Sequence, residues 1–274
     1  MRYLRLYSQF FTLQFKSIIE YRTDFLIGLF SVVIGQINTF ILTVMIFTQM
    51  DNLAGYTIYE IFLMYGFFVL VKGVDHFYND NIWSFAWNKI KDGRFTEILL
   101  RPINPIFYII MERIEINGLS EIIIGLIIVL YSMYLLKIHL SIINIFLLVI
   151  ILLCGLVVFF SIKLLFSAPA FWTICCGEFM TAGVEISNSA KNPLTVYKNQ
   201  IIKSVLLYIF PFPIAAYFPA IFCLNETSDF FGLMNRGISG IEIVLYSALM
   251  AGILLVLSIS VWYKGLRKFE PTGT

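Results

Sequence analysis

The sequence predicts an all-α integral membrane protein with six transmembrane helices, and three observations predict it. Of 274 residues, 59% are hydrophobic and only 13% charged, about half the roughly 25% charge of an ordinary soluble chain. Apolar stretches of bilayer-crossing length, about 20 residues, recur from one end to the other. Lysine and arginine gather in alternate connections between them, as expected of a polytopic protein whose cytoplasmic loops carry the excess positive charge. The whole chain, 1–274, reads as one transmembrane domain.

Residues 1–23 form the first element. Wound as a helix, Arg2, Arg5, Gln9, Thr12, Lys16 and Glu20 share one stripe, while Leu4, Tyr7, Phe11, Phe15 and Ile18 fill the opposite face. A cleavable signal would have an uninterrupted apolar core and a small-residue cleavage site. This segment has a two-sided pattern instead, which predicts a helix lying in the membrane interface.

Six spans follow, at about 25–47, 57–78, 114–136, 142–166, 201–224 and 240–263. Lys72, Asp75 and His76 interrupt the second. The third and fourth are joined only by the turn from Lys137 to Ser141, which predicts an antiparallel pair. The fifth contains Pro211, Pro213 and Pro219. Each proline removes a backbone donor and clashes with the preceding turn, so this span must bend or stop. Irregular chain at membrane depth has to be buried in protein or face water. Its outer end is therefore expected to be a re-entrant or short interfacial helix, forming an outer gate with Asn225 to Arg236.

Orientation follows from the cations. Arg2, Arg5, Lys16 and Arg22 precede the first span, and Lys89, Lys91, Arg94, Arg101 and Arg113 lie between the second and third. Lys191, Lys198 and Lys203 sit at the start of the fifth, and Lys264, Arg267 and Lys268 follow the sixth. The other side holds only Lys137 and Arg236. An even number of spans with this bias puts both termini, and the basic amphipathic segment 80–105, in the cytoplasm. A compact knob presented there is a docking element.

Ionisable groups inside spans are functional suspects. Lys72, Asp75 and His76 share one helix face by their spacing of three and four, and a Lys72–Asp75 pair would lower the cost of burying either charge. With Glu121 in the third span and Gln36 and Asn38 in the first, they are candidates for a polar translocation path. The competing reading has Lys72 and Lys163 snorkelling to the interface while the others lock helices together. Glu112 and Glu115 read as a solvated elbow before the third span. No catalytic constellation appears: the chain has no G-x-x-x-x-G-K-[ST] phosphate loop, no H-E-x-x-H, no G-x-S-x-G and only two histidines. Cys154, Cys175, Cys176 and Cys223 lack metal-type spacing and read as packing residues, so no metal site is expected.

Five stretches carry a likeness to a known family. They are Tyr21-Arg22-Thr23-Asp24-Phe25, the run from Ile90 to Pro102, Ala170-Phe171-Trp172-Thr173 with Asn192-Pro193-Leu194, the proline-rich Pro211 to Ala220, and Gly265 to Glu270. Together they resemble the membrane subunits of ATP-binding-cassette exporters of the type-2, six-span permease class. The resemblance implies an elbow helix at the N-terminus and a coupling helix within 80–105 that fits a cleft in a separate ATPase. Gly93, Arg94, Glu97, Leu99, Leu100, Arg101 and Pro102 are the ATPase-coupling residues on this reading, with Ile98 adding to the apolar contact.

The resemblance further implies two ATPase copies, which would carry ATP and Mg, since this chain itself calls for no cofactor. It implies a second permease chain, identical or homologous, contact with membrane lipid, no nucleic acid, and a place in the cell membrane of a bacterium. Export of an amphipathic drug, peptide or lipid-like substrate is the expected function. The alternatives are a non-transporting scaffold or immunity component and an intramembrane enzyme relying on Asp75, His76 or Glu121.

Overall fold

The computed structural model describes residues 2–20, 22–173, 176–224 and 239–270. Among them the secondary structure is helical, without a strand. In chain order the α-helices are α1 (Arg2–Glu20), α2 (Arg22–Phe47), α3 (Ile58–Asn79), α4 (Asn81–Ser84), α5 (Arg94–Leu99), α6 (Pro105–Glu112) and α7 (Asn117–Leu135). There follow α8 (Ile142–Ser167), α9 (Ala170–Thr173), α10 (Gly177–Asn188), α11 (Gln200–Ser204), α12 (Tyr217–Leu224) and α13 (Gly240–Lys268).

Among the described residues four stretches are long and apolar enough to cross a bilayer: Leu26–Phe47, Asn117–Leu135, Ile142–Thr173 and Gly240–Lys268. The segment expected as a second span is the helix α3, which is not among these four and carries Glu60, Lys72 and Asp75. Glu60 closes its first turn by accepting from the Thr57 backbone N–H at 2.7 Å. A complete capping box starts α13, where Ser239 and Glu242 each accept from the other's backbone N–H.

Helices α3 and α7 pack antiparallel along their whole length, and glycine makes the approach possible. A methyl group added to Gly118 would stand 2.6 Å from the Gly73 carbonyl oxygen, and one added to Gly73 would stand 2.7 Å from the Ile122 backbone nitrogen. In lipid there is little water to expel, so close van der Waals packing of this kind holds helices together. α8 packs chiefly on α13 instead. The expected pairing of the third and fourth spans is therefore corrected. Their tight turn brings two ends together, but α7 and α8 diverge from it around an apolar cleft of about 720 Å³ lined by Leu126, Leu130, Ile145 and Leu148. A short turn fixes direction, whereas the glycines decide which face packs.

The third span also starts later than expected. Arg113 is extended (φ −143°, ψ 132°) and separates α6 from α7. α2 is the least covered span, leaning lightly on α7 and leaving Ile27, Phe30, Ile34, Ile37 and Ile41 exposed. α1 is helical from Arg2 to Glu20, with the Phe10 ring edge-on to Tyr108 and the Tyr7 hydroxyl donating to that of Tyr78.

The proline-broken fifth span behaves as lipid chemistry demands. α11 runs into a π-helical turn, Val205–Ile209, the helix stops at Phe210, and a 3₁₀ turn, Phe212–Ala215, leads into α12. Pro211, Pro213 and Pro219 are all buried, and the segment packs against α3, α8 and α13. The Tyr56 and Tyr217 hydroxyls meet at 3.2 Å just beyond the break. The broken backbone lies inside the bundle, where neighbouring side chains cover it, and is followed by the short helix α12. The rest of the expected gate, Asn225 to Arg236, lies outside the described residues.

Candidate functional site

Two places in the fold gather the residues singled out from the sequence. The first is the knob formed by the basic segment after α3. From Ile58 the helical backbone continues through α3, α4 and the π-helical turn Phe85–Lys89 with right-handed helical angles at Asp80, Ser84 and Phe85. That rod of about 48 Å, at about 1.5 Å per residue, ends in a reversal at Gly93, whose φ of 71° is the left-handed conformation glycine tolerates. α5 then folds back beneath it.

Phe95 of α5 is fully buried and meets Phe85 at 5.1 Å, Phe171 at 5.6 Å and Phe269 at 5.1 Å between ring centroids. Trp262 of α13 closes the cluster against Phe85 and Phe171. Lys89 and Glu112 form an ion pair beside it, and Asn81 donates to Glu112 and to the Ile109 carbonyl. The reading of Glu112 as a solvated elbow is therefore corrected: it is the anion that holds Lys89.

Around this base, Arg94, Glu97, Leu99, Leu100, Arg101 and Pro102 are exposed, Leu100 by 82%, with Gly93 at their edge. The Arg101 guanidinium also lies over the Tyr108 ring at 4.5 Å, a cation–π contact that orients it. Ile98 is not part of the apolar tip. It points into the aromatic base, since positions three apart on this short helix, Phe95 and Ile98, share the inner face.

The second place is a polar chamber in the bundle. The Lys163 ammonium lies 2.6 Å from the Asp75 carboxylate and 3.3 Å from Asp80. His76 reaches Asp80 at 3.4 Å from Nε2 and Glu121 at 3.3 Å from Nδ1. A carboxylate at each nitrogen is satisfied by the imidazolium, which donates from both. Asn79 donates to the second oxygen of Asp75 at 3.0 Å. Asp80 lies just past the end of α3. Burial alone would raise its carboxyl, but His76 and Lys163 hold it below its ordinary value.

These charges border a cavity of about 260 Å³ with Trp83, Phe159, Phe166 and Phe212 on its apolar walls and α10 closing one side. A smaller cavity of about 100 Å³ adjoins it at Lys72 and Glu121 and takes in Gln36, Thr39, Asn188 and Lys191. Gln36 accepts from the Tyr65 hydroxyl there.

Lys72, Asp75, His76, Glu121 and Gln36 thus converge, while Asn38 sits on the exposed face of α2. Two expectations are corrected. Asp75 pairs with Lys163, not with Lys72, whose ammonium rests 5.7 Å from the Phe68 ring centroid. Lys163 turns inward and does not snorkel, because two carboxylates on α3 and at its end offer more than the interface does. Sequence reasoning missed Lys163, Asp80 and α10. The signal available for Lys163 was its position: a lysine this far into an apolar helix needs acidic company. The three described cysteines, Cys154, Cys176 and Cys223, are buried as packing residues.

Several long apolar helices, packed around a covered charged chamber, mark a multi-pass membrane protein. Residues 33–273 match the family of ABC-2 family transporter proteins, and the chain belongs to that family. It is accordingly a transmembrane subunit of an ATP-binding-cassette transporter, of a kind that works with an ABC ATPase and is generally not itself catalytic. No curated protein and no solved structure matches the chain.

Proposed function

We propose that this chain is the export permease of such a complex, and that the knob between Trp87 and Pro102 receives the power stroke of the ATPase. The observation that carries this reading is the contrast along α5 and the two residues after it: Phe95 and Ile98 are locked into an aromatic base shared with α9 and α13, while Leu99, Leu100 and the two arginines, Arg94 and Arg101, are exposed. A tip fixed to several membrane helices at once transmits a push as rigid-body motion. Two ATPase copies, holding ATP and Mg, pair with Arg94 and Arg101 through acidic groups and with Leu99 and Leu100 through an apolar cleft.

Six spans complete the reading, with α3 as the second and the α11–α12 region as the fifth, both termini in the cytoplasm and the chain in a bacterial cell membrane. A second permease, identical or homologous, shares the lipid-facing periphery, of which α2 is the least covered part. The charged chamber forms part of the path for an amphipathic cargo. Pro211, Pro213 and Pro219 shape its outer closure.

Replacing Leu99 and Leu100 together with Asp is expected to leave the protein in the membrane and to abolish substrate-stimulated ATP hydrolysis in the reconstituted complex. Unchanged stimulation would refute the assignment of the tip. Labelling of a Leu100→Cys variant only by reagents applied outside the cell would refute the orientation.

A further inference from the structure

The paired cavities differ in chemistry, and their charges are unequally matched. Every carboxylate bordering them is engaged: Asp75 by Lys163, Asp80 by Lys163 and His76, and Glu121 by His76. Lys72 and Lys191, which both line the smaller cavity, have no acid within ion-pair distance among the described residues. An ammonium held beside apolar helices without an anion is costly, and here two of them face one small polar space. Gln36, Thr39 and Asn188 add hydrogen-bonding groups around it. The larger cavity, joined to it at Lys72, has an apolar wall of Trp83, Phe159, Phe166 and Phe212.

We propose that this pair of cavities binds a small amphipathic organic anion, with its acidic group between Lys72 and Lys191 and its apolar body against the four aromatic rings. The assignment rests on the reading of the chamber as part of the cargo path and narrows the cargo from amphipathic compounds in general to anions. A matched cation would set its charge against Lys72 and find every carboxylate already taken. The cavities, about 260 and 100 Å³, reach only the lower end of the range for drug-sized ligands, roughly 300 Å³ upward. A single short chain or a compact ring system fits, and a two-chain phospholipid does not.

The test is equilibrium binding of radiolabelled decanoate and of decyltrimethylammonium, equal in chain length and opposite in charge, to the full chain in phosphatidylcholine nanodiscs. Decanoate is expected to bind saturably, one per chain and at least tenfold tighter than the cation. Lys72→Gln should lower its affinity at least tenfold, Lys72→Arg should restore it, and Lys137→Gln in the outer turn should leave it unchanged.

Equal affinity for the two probes would overturn the proposal, as would indifference to Lys72→Gln in a variant with wild-type thermal stability. Displacement of decanoate by phosphatidate would overturn the assignment to a small anion. The binding measurement uses neither ATP nor a partner. An intact, charge-selective site in a complex that moves no anion on ATP hydrolysis would therefore refute the transport reading and leave the site standing.

Discussion

At the base of the knob, Phe85, Phe95, Phe171, Trp262 and Phe269 fill the space edge to face, and Phe85, Phe95 and Trp262 expose nothing to solvent. Between about one and four helical turns up the same rod, the chamber is lined by charges and retains open volume. Rings packed at crystal-like density resist deformation and pass force on. A cavity with paired charges yields, because its groups can exchange partners as helices move. One helical run, α3 through α4 and the π-helical turn, thus passes from a stiff region to a more open one, and the proposed function gives force to the first and cargo to the second.

The comparison can be broken most forcefully at Phe95. Phe95→Ala should cost about 3–5 kcal/mol, the usual range for emptying a fully packed aromatic site, and release the knob from the bundle. Thermal unfolding in detergent, with protease sensitivity between Lys91 and Asn104, checks it. An unshifted melting curve would show that the base is not the rigid part.

Lys163→Met comes next. Removing one partner of a buried pair costs about 3–5 kcal/mol in general. The low end is expected here, since the adjoining cavity can admit water to the abandoned Asp75. Adding Asp75→Asn to that variant should recover most of the loss in a double-mutant cycle. Additive losses would mean that the two residues do not act as a pair.

Gly125→Ala should have a smaller effect, about 1–3 kcal/mol from overpacking, because a methyl there meets the Leu70 backbone. Unaltered stability would place the α3–α7 approach elsewhere.

The mildest effect is in acid. Asp80 has its carboxyl held below the ordinary 3.8, so the stability it contributes is fully present above that value and fades as pH falls through its lower folded-state value. Asp80→Asn should flatten this part of the stability profile, as a denaturant series across the window would register.

Much of this was legible from residue order because it depends on local pattern. The spans of α2, α8 and α13 follow from uninterrupted apolar length, the break at Pro211 from backbone chemistry, and the exposed tip from a basic segment that cannot remain in lipid. What escaped depends on neighbours distant in sequence. Spacing places Lys72 and Asp75 on one face of α3, yet only packing reveals that Asp75 turns to Lys163 on α8. The turn at Lys137–Ser141 gives direction without contact, and the glycines that choose α3 as the partner of α7 look unremarkable one at a time. α10 was invisible for a similar reason: it is twelve residues of mixed polarity, including Glu178 and Glu185, and has meaning only as a wall of the chamber.

The glycine contact has a mechanical consequence. The close contacts between α3 and α7, from Gly66 to Phe77, centre near the midpoint of the rod running from Ile58 to Lys89. A beam pivoting at its centre behaves as a seesaw: displacement of the knob end is returned at the far end with equal size and opposite sense. Tilting about that fulcrum would narrow one mouth of the bundle while widening the other, with no hinge needed anywhere along the beam.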